Sequence, residues 1–135
     1  MLVSQTFQIC PTRIFQIGTI FAGCTETTFP QDFDYLMDIN CRTPFVLSQF
    51  FLDFLAASKG CIINISCDKG SNAEAGLVGY CMSKAGLEMM SKSSAMELAP
   101  LGIRVNCVAP SFVDTNLYRY AGLTEPELDS LKQRA

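Results

Sequence analysis

Five stretches of this chain hold most of its apolar side chains, and the period inside each stretch differs. In IFQIGTIFAG (14–23), β-branched and aromatic residues run together and close on Ala22-Gly23, which predicts a buried strand entering a turn. After Pro30, the run QDFDYLMDINCRTPFVLSQFFLDFLAAS places apolar residues at helical spacing around most of the circumference. A helix over 31–57 is therefore expected, buried on more than one side. Pro44 lacks an N–H and crowds the preceding turn, so that helix should kink or restart near Thr43 and divide into two segments. The compact run CIINIS (61–66), ended by the turn cluster Asp68-Lys69-Gly70-Ser71-Asn72, predicts a second strand. LVGYCMSKAGLEMMSKSSAMELAP (77–100) reads as a second helix with Pro100 following its end, and GIRVNCVAP (102–110) as a third strand. Residues 1–13 show no period and stay unassigned.

Strand, helix and strand in succession, joined by crossovers of well over a dozen residues, describe parallel right-handed β-α-β units, and the class is α/β. In an open parallel sheet, ligands sit beyond the carboxyl ends of the strands. Those ends are expected at Ala22-Gly23, Ser66-Cys67 and Ala109-Pro110-Ser111, converging on one crevice. The length of 135 residues suits a single domain, and a hydrophobic share of 49% against 17% charged residues excludes a disordered chain. A net charge of -3 with scattered Lys and Arg leaves no basic stripe for nucleic acid. No run reaches the ~18 apolar residues of a membrane span. The segment before Cys24 has a passing likeness to a leader, but Gln16, Gly18 and Thr19 interrupt it. Seven cysteines without a C-x-x-C pair, and no histidine, give no zinc set and read as reduced, buried thiols of a cytoplasmic protein.

Candidate chemistry begins at Tyr80 and Lys84. Four residues along a helix are just over one turn, so both side chains project from one side of the helix start. An ammonium and the positive helix end would stabilise a phenolate, moving Tyr80 toward use as an acid or base. A Tyr and a Lys at this spacing also occur on ordinary solvent faces, so the surrounding motifs decide. Tyr80-Cys81-Met82-Ser83-Lys84 follows NISCDKG (64–70), Asn40 lies in MDIN within the preceding helix, and APSFVDT (109–115) ends AMELAPLGIRVNCVAPSFVDT. In order and spacing these segments resemble the short-chain dehydrogenase/reductase family, from about Ala22 to the C-terminus.

The resemblance implies a partial Rossmann-like, doubly wound parallel sheet of about three strands with flanking helices. In it 1–21 is an unassigned segment and 22–135 the middle-to-late part of the domain. It further implies hydride transfer between NAD or NADP and a carbonyl or alcohol substrate. Tyr80 would exchange a proton with the substrate oxygen, and Lys84 would depress the tyrosine's pKa and hold the nicotinamide ribose. Asn40 would position a water behind the lysine, and Thr115 would touch the nicotinamide carboxamide. Ala22, Gly23, Pro110, Ser111 and Val113 complete the implied cofactor surface. Asn40 as a helix-kink cap and Thr115 as a turn hydroxyl remain the plain alternatives. In the family, the two helices corresponding to 31–57 and 77–98 commonly build an oligomer interface, so a homo- or hetero-oligomer is expected.

The chain departs from the family pattern in four places. Thirteen residues before Tyr80, where the family has serine, stands Cys67, a weaker donor with a longer bond. Adjacent Ser66 replaces it only if the strand end is bulged, because neighbouring strand residues face opposite ways. The family's N-N-A-G is matched to Ile20-Phe21-Ala22-Gly23, and Ser111 stands where glycine is expected. The sequence holds no T-G-x-x-x-G-x-G loop, whose backbone N–H groups would cradle a pyrophosphate. A fragment with weak or no activity alone is therefore expected; the alternative is a non-catalytic piece that associates with full-length relatives through its long helices.

Overall fold

The computed structural model of the chain describes residues 12–120, 124–126, 129 and 132. Three strands, β1 (Thr12–Phe15), β2 (Cys61–Ile65) and β3 (Arg104–Val108), form one parallel sheet in the order β1-β2-β3. The register sets Phe15 beside Asn64 and Asn64 beside Cys107. Alternation along the strands then puts Arg13, Phe15, Ile62, Asn64, Val105 and Cys107 on one face. The helices cover that face. They are α1 (Pro30–Met37), a π-helical turn (Asp38–Arg42), α2 (Thr43–Phe50), α3 (Leu52–Ser58) and α4 (Val78–Leu98), followed beyond β3 by α5 (Asn116–Tyr120). Leu55 of α3 packs with Phe15, Ile62, Ile103 and Val105 in the main core, and the Arg13 guanidinium lies over the rings of Phe51 and Phe54 at 4.9 and 4.8 Å. On the opposite face Ile14 and Val108 are 62% and 49% exposed. Among the described residues, no helix is long and apolar enough to cross a membrane.

The α/β class and the three parallel strands are as expected, but two local expectations are corrected. The first strand is Thr12–Phe15, so it begins in the stretch left unassigned and ends well before Ala22-Gly23. The apolar run 14–23 is shared between a short strand and a loop. Ile20, read as strand, is a loop residue buried against Leu36, Cys67 and Tyr80 in a second cluster at the strand tips. Burial there does not need a ladder.

A helical segment does restart at Thr43, as expected, but the disturbance before it is not a simple kink and the long helix divides further than into two. It widens into the π turn, in which the Thr43 N–H donates to the Asp38 carbonyl five residues back. Pro44 follows in the first turn of α2, where a missing N–H costs least, and the break falls later, at Phe51. The same stretch packs closely on α4. A Cβ on Gly79 would stand 2.9 Å from Leu36 Cδ1, and one on Gly86 would stand 3.2 Å from Cys41 Sγ.

Candidate functional site

Helix α4 begins directly after a loop held by residue 23. Gly23 donates to the Gly76 carbonyl at 2.7 Å and accepts from the Val78 N–H at 3.2 Å, which fixes where the first turn starts. Tyr80 and Lys84 then sit one turn apart on the inward side, 3% and 4% exposed. They line a cavity of about 400 Å³ at the carboxyl ends of the strands, together with Cys67, Pro110, Ser111, Val113 and Thr115. These expected residues are brought together. Ala22, Gly23 and Asn40 are not among the lining residues; the tip of β1 is formed instead by Gln16, Ile17 and Gly18. The expectation that Ala22-Gly23 is that tip is corrected: the strand ends at Phe15, and Gly23 braces α4 instead. Gly18 lies so close that a Cβ there would come within 3.3 Å of Lys84 Nζ.

Asn40 is fully buried behind the cavity and held by the π turn. Its Oδ1 accepts the Thr19 N–H at 2.7 Å, while Nδ2 donates to the Thr19 carbonyl and to Ser83 Oγ, each at 2.9 Å. Ser83 in turn donates to the Tyr80 carbonyl at 2.8 Å. Asn40 thus clamps the tip of β1 onto the catalytic-candidate turn of α4. Ser83, Gly18 and Thr19 were missed as site residues. The one available signal was the position of Ser83 inside the Tyr80–Lys84 interval.

Cys67 faces the cavity and packs on Tyr80. Its thiol donates to Asp68 Oδ1 at 3.2 Å. Ser66 is buried and turned toward Glu88, to which it donates at 3.0 Å, so Cys67 is the residue placed against Tyr80. Ser111 donates to Asp68 Oδ2 at 3.4 Å, and Thr115 Oγ1 accepts the Leu117 N–H at 3.4 Å, the turn role weighed as its plain alternative. Tyr118 lies at the outer wall, stacked on Phe112 with ring centroids 5.0 Å apart.

Burial governs the electrostatics. Desolvation, followed by the neighbouring Cys67, pushes the Tyr80 phenol well above its ordinary value. Desolvation likewise holds Lys84 below the usual lysine range. The net shift of the Tyr80 phenol is therefore upward. The ammonium donates to the Ile65 carbonyl at 3.2 Å and lies 5.9 Å from the tyrosine ring centroid, and charge stabilisation across that separation does not offset the loss of water. Tyr80 is a neutral phenol at physiological pH, suited to donating a proton or hydrogen bond into the cavity.

The geometry agrees with comparisons to known proteins. Residues 18–125 match the short chain dehydrogenase family. A 3-oxoacyl-[acyl-carrier-protein] reductase FabG of Rickettsia prowazekii is 40% identical over 115 residues, covering 81% of this chain and 48% of the relative. Among solved structures, a 4-hydroxyisoleucine dehydrogenase complexed with NADH superposes with a TM-score of 0.70 at 31% identity, covering 77% of this chain and 47% of that one. A short-chain dehydrogenase from Streptomyces avermitilis gives 0.73 at 30% identity, covering 79% and 40%. The chain spans less than half the length of each. With a parallel Rossmann-like sheet and a Tyr80–Lys84 pair at the strand tips, this chain belongs to the short-chain dehydrogenase family.

Proposed function

We propose that the cavity is the reacting end of an NAD(P)-dependent oxidoreductase site that interconverts a carbonyl and an alcohol. The observation that carries this reading is the convergence of Tyr80, Lys84, Cys67, Ser111 and Thr115 on one cavity at the strand tips. The residues fit the nicotinamide end of the cofactor. Gly18 leaves bare backbone beside Lys84 Nζ, so a flat ring meets no side chain there, and the buried ammonium can serve ribose hydroxyls. Pro110, Ser111, Val113 and Thr115 would close the other side, Thr115 toward the carboxamide. When bound, the cofactor supplies or accepts hydride. Tyr80 donates its proton to the carbonyl oxygen in reduction and recovers one from the alcohol in oxidation. Lys84 holds the ribose, and Asn40 acts from behind by fixing the Thr19 loop and α4.

The family's second donor to the substrate oxygen is replaced by Cys67, and the loss of such a donor elsewhere lowers rates by about 10²–10³. Turnover by this chain alone is accordingly weak or absent. The six described cysteines are free, as a reducing cytoplasm would keep them. The test is titration with reduced nicotinamide mononucleotide, NADH and NADPH, read by protein NMR, alongside absorbance assays on a carbonyl panel. Binding lost in Lys84→Met is the expected result; turnover that survives Tyr80→Phe sinks the reading.

A second reading has its own observation. Met82, Met89 and Met96, 51%, 61% and 80% exposed, recur at seven-residue spacing along one stripe of α4, and Phe45 and Phe50 of α2 are exposed as well. Such faces suit association with copies of this chain or with longer relatives. Co-purification with a full-length relative, abolished by Met89→Glu, would support it; a strictly monomeric species would refute it.

A further inference from the structure

One turn of α4 beyond Lys84 stands a carboxylate outside the cavity lining, Glu88, to which the oxidoreductase reading gives no role. Each of its oxygens has its own partner. Oε1 accepts the Ser66 hydroxyl at 3.0 Å, and Oε2 accepts the Ser71 hydroxyl at 2.8 Å. An ionised carboxylate can only accept, so both serines are the donors. They stand at the two ends of the turn that follows β2, and Cys67, which faces the cavity, lies between them. Residue 70 lets this turn lie flat on the helix. A Cβ on Gly70 would run into the Glu88 carboxylate and stand 3.1 Å from the Lys84 carbonyl carbon. On its other side the turn is tied to the end of β3 and the loop beyond: the Ser66 N–H donates to the Val108 carbonyl at 2.7 Å, and the Asp68 N–H to the Pro110 carbonyl at 2.9 Å.

We propose that Glu88 is a positioning residue of this site: by holding the turn at both ends it fixes the spacing between Cys67 and Tyr80, and so the room left beside Tyr80 for a substrate group. Tyr80 and Lys84 belong to α4, whereas Cys67 belongs to a separate element that packs on Tyr80. The described backbone hydrogen bonds of residues 66–72 run within the turn or to the β3 side, so its hold on α4 falls to side chains. Glu88 supplies the two shortest. The others are longer, Lys84 Nζ to the Ile65 carbonyl at 3.2 Å and Ser66 Oγ to the Lys84 carbonyl at 3.4 Å. The inference rests on the oxidoreductase reading for its meaning, but its test needs neither cofactor nor turnover.

The measurement is the rate at which iodoacetamide modifies Cys67 in the full chain, read on the residue-67 peptide by mass spectrometry, with buried Cys61 of β2 as the internal reference. Glu88→Ala should free the turn to open locally and modify Cys67 roughly tenfold faster, with the Cys61 rate unchanged. Glu88→Gln keeps an oxygen for Ser66 and sets an amide against the Ser71 hydroxyl, so it should return the rate close to that of the parent. The preference at Cys67 for iodoacetamide over the bulkier N-ethylmaleimide should also fall in Glu88→Ala, because a wider gap admits the larger reagent. Gly70→Ala, which presses on the same carboxylate, should imitate Glu88→Ala and add little to it in the double variant. Acceleration of both thiols together, an unchanged Cys67 rate or size preference in Glu88→Ala, or no recovery in Glu88→Gln overturns the proposal. If Glu88→Ala does not fold, Ser71→Ala removes one arm and must still accelerate Cys67 alone; an unchanged rate there overturns it as well. Reduced nicotinamide mononucleotide that fails to bind the parent while the Cys67 pattern holds would strike the oxidoreductase reading alone.

Discussion

Asn40 shows how one side chain can serve a site without entering it. Its amide satisfies Thr19 on both backbone atoms and also reaches Ser83, all in a fully buried position. Asn40→Leu keeps the volume but strands those groups, and we expect it to destabilise the chain by about 2–4 kcal/mol in urea unfolding. Lys84 acts through ionisation. Its folded pKa lies below the ordinary 10.5 because of desolvation, so between the two values the unfolded chain binds more protons, and stability rises with pH through that window. Tyr80, shifted upward, works the other way only above its ordinary 10.0, where stability is lost as the unfolded phenol ionises. Thermal unfolding of Lys84→Met should thus show a more stable protein than the parent at neutral pH, with the difference shrinking as pH approaches that of free lysine. The position of Tyr80 and Lys84 was legible in the sequence because helical spacing fixes it. Their ionisation was not, because it depends on how much water the Ile20, Leu36 and Cys67 cluster removes, and that is a property of packing.

Between elements, the least legible feature was where β1 ends. The run from Ile14 to Gly23 is apolar throughout, and nothing in its period separates Phe15, which faces the main core, from Ile20, which faces the strand tips. The tip was accordingly expected at Ala22-Gly23 and is found at Gln16, Ile17 and Gly18. The long helix was legible in existence and extent. Pro44 marked a disturbance, but its form as a π turn follows from tertiary contacts, chiefly the seating of Asn40 against α4. That seating depends on close approach at Gly86, where an added Cβ would press on Cys41 Sγ at 3.2 Å. Gly86→Val is expected to cost about 1–3 kcal/mol, measured by chemical denaturation, and to broaden the NMR resonances of Tyr80 before those of β3.

Among the described residues, helices lie on one face of the parallel sheet, while Ile14 and Val108 look outward from the other. Parallel sheets are ordinarily covered on both sides, so the chain should associate at micromolar concentration, and sedimentation should register a shift toward monomer when Ile14 and Val108 are both changed to Lys. The brace at Gly23 has a different kind of consequence. Because it joins the loop after β1 to the first turn of α4 through backbone bonds on both sides, the inner wall of the cavity cannot swing outward one piece at a time. Passage of a molecule in or out therefore falls to the wall built by 111–118, where Ser111 reaches Asp68 at 3.4 Å and Asp114 lies 3.5 Å from Lys132 Nζ, and amide hydrogen exchange should be faster there than along 77–84.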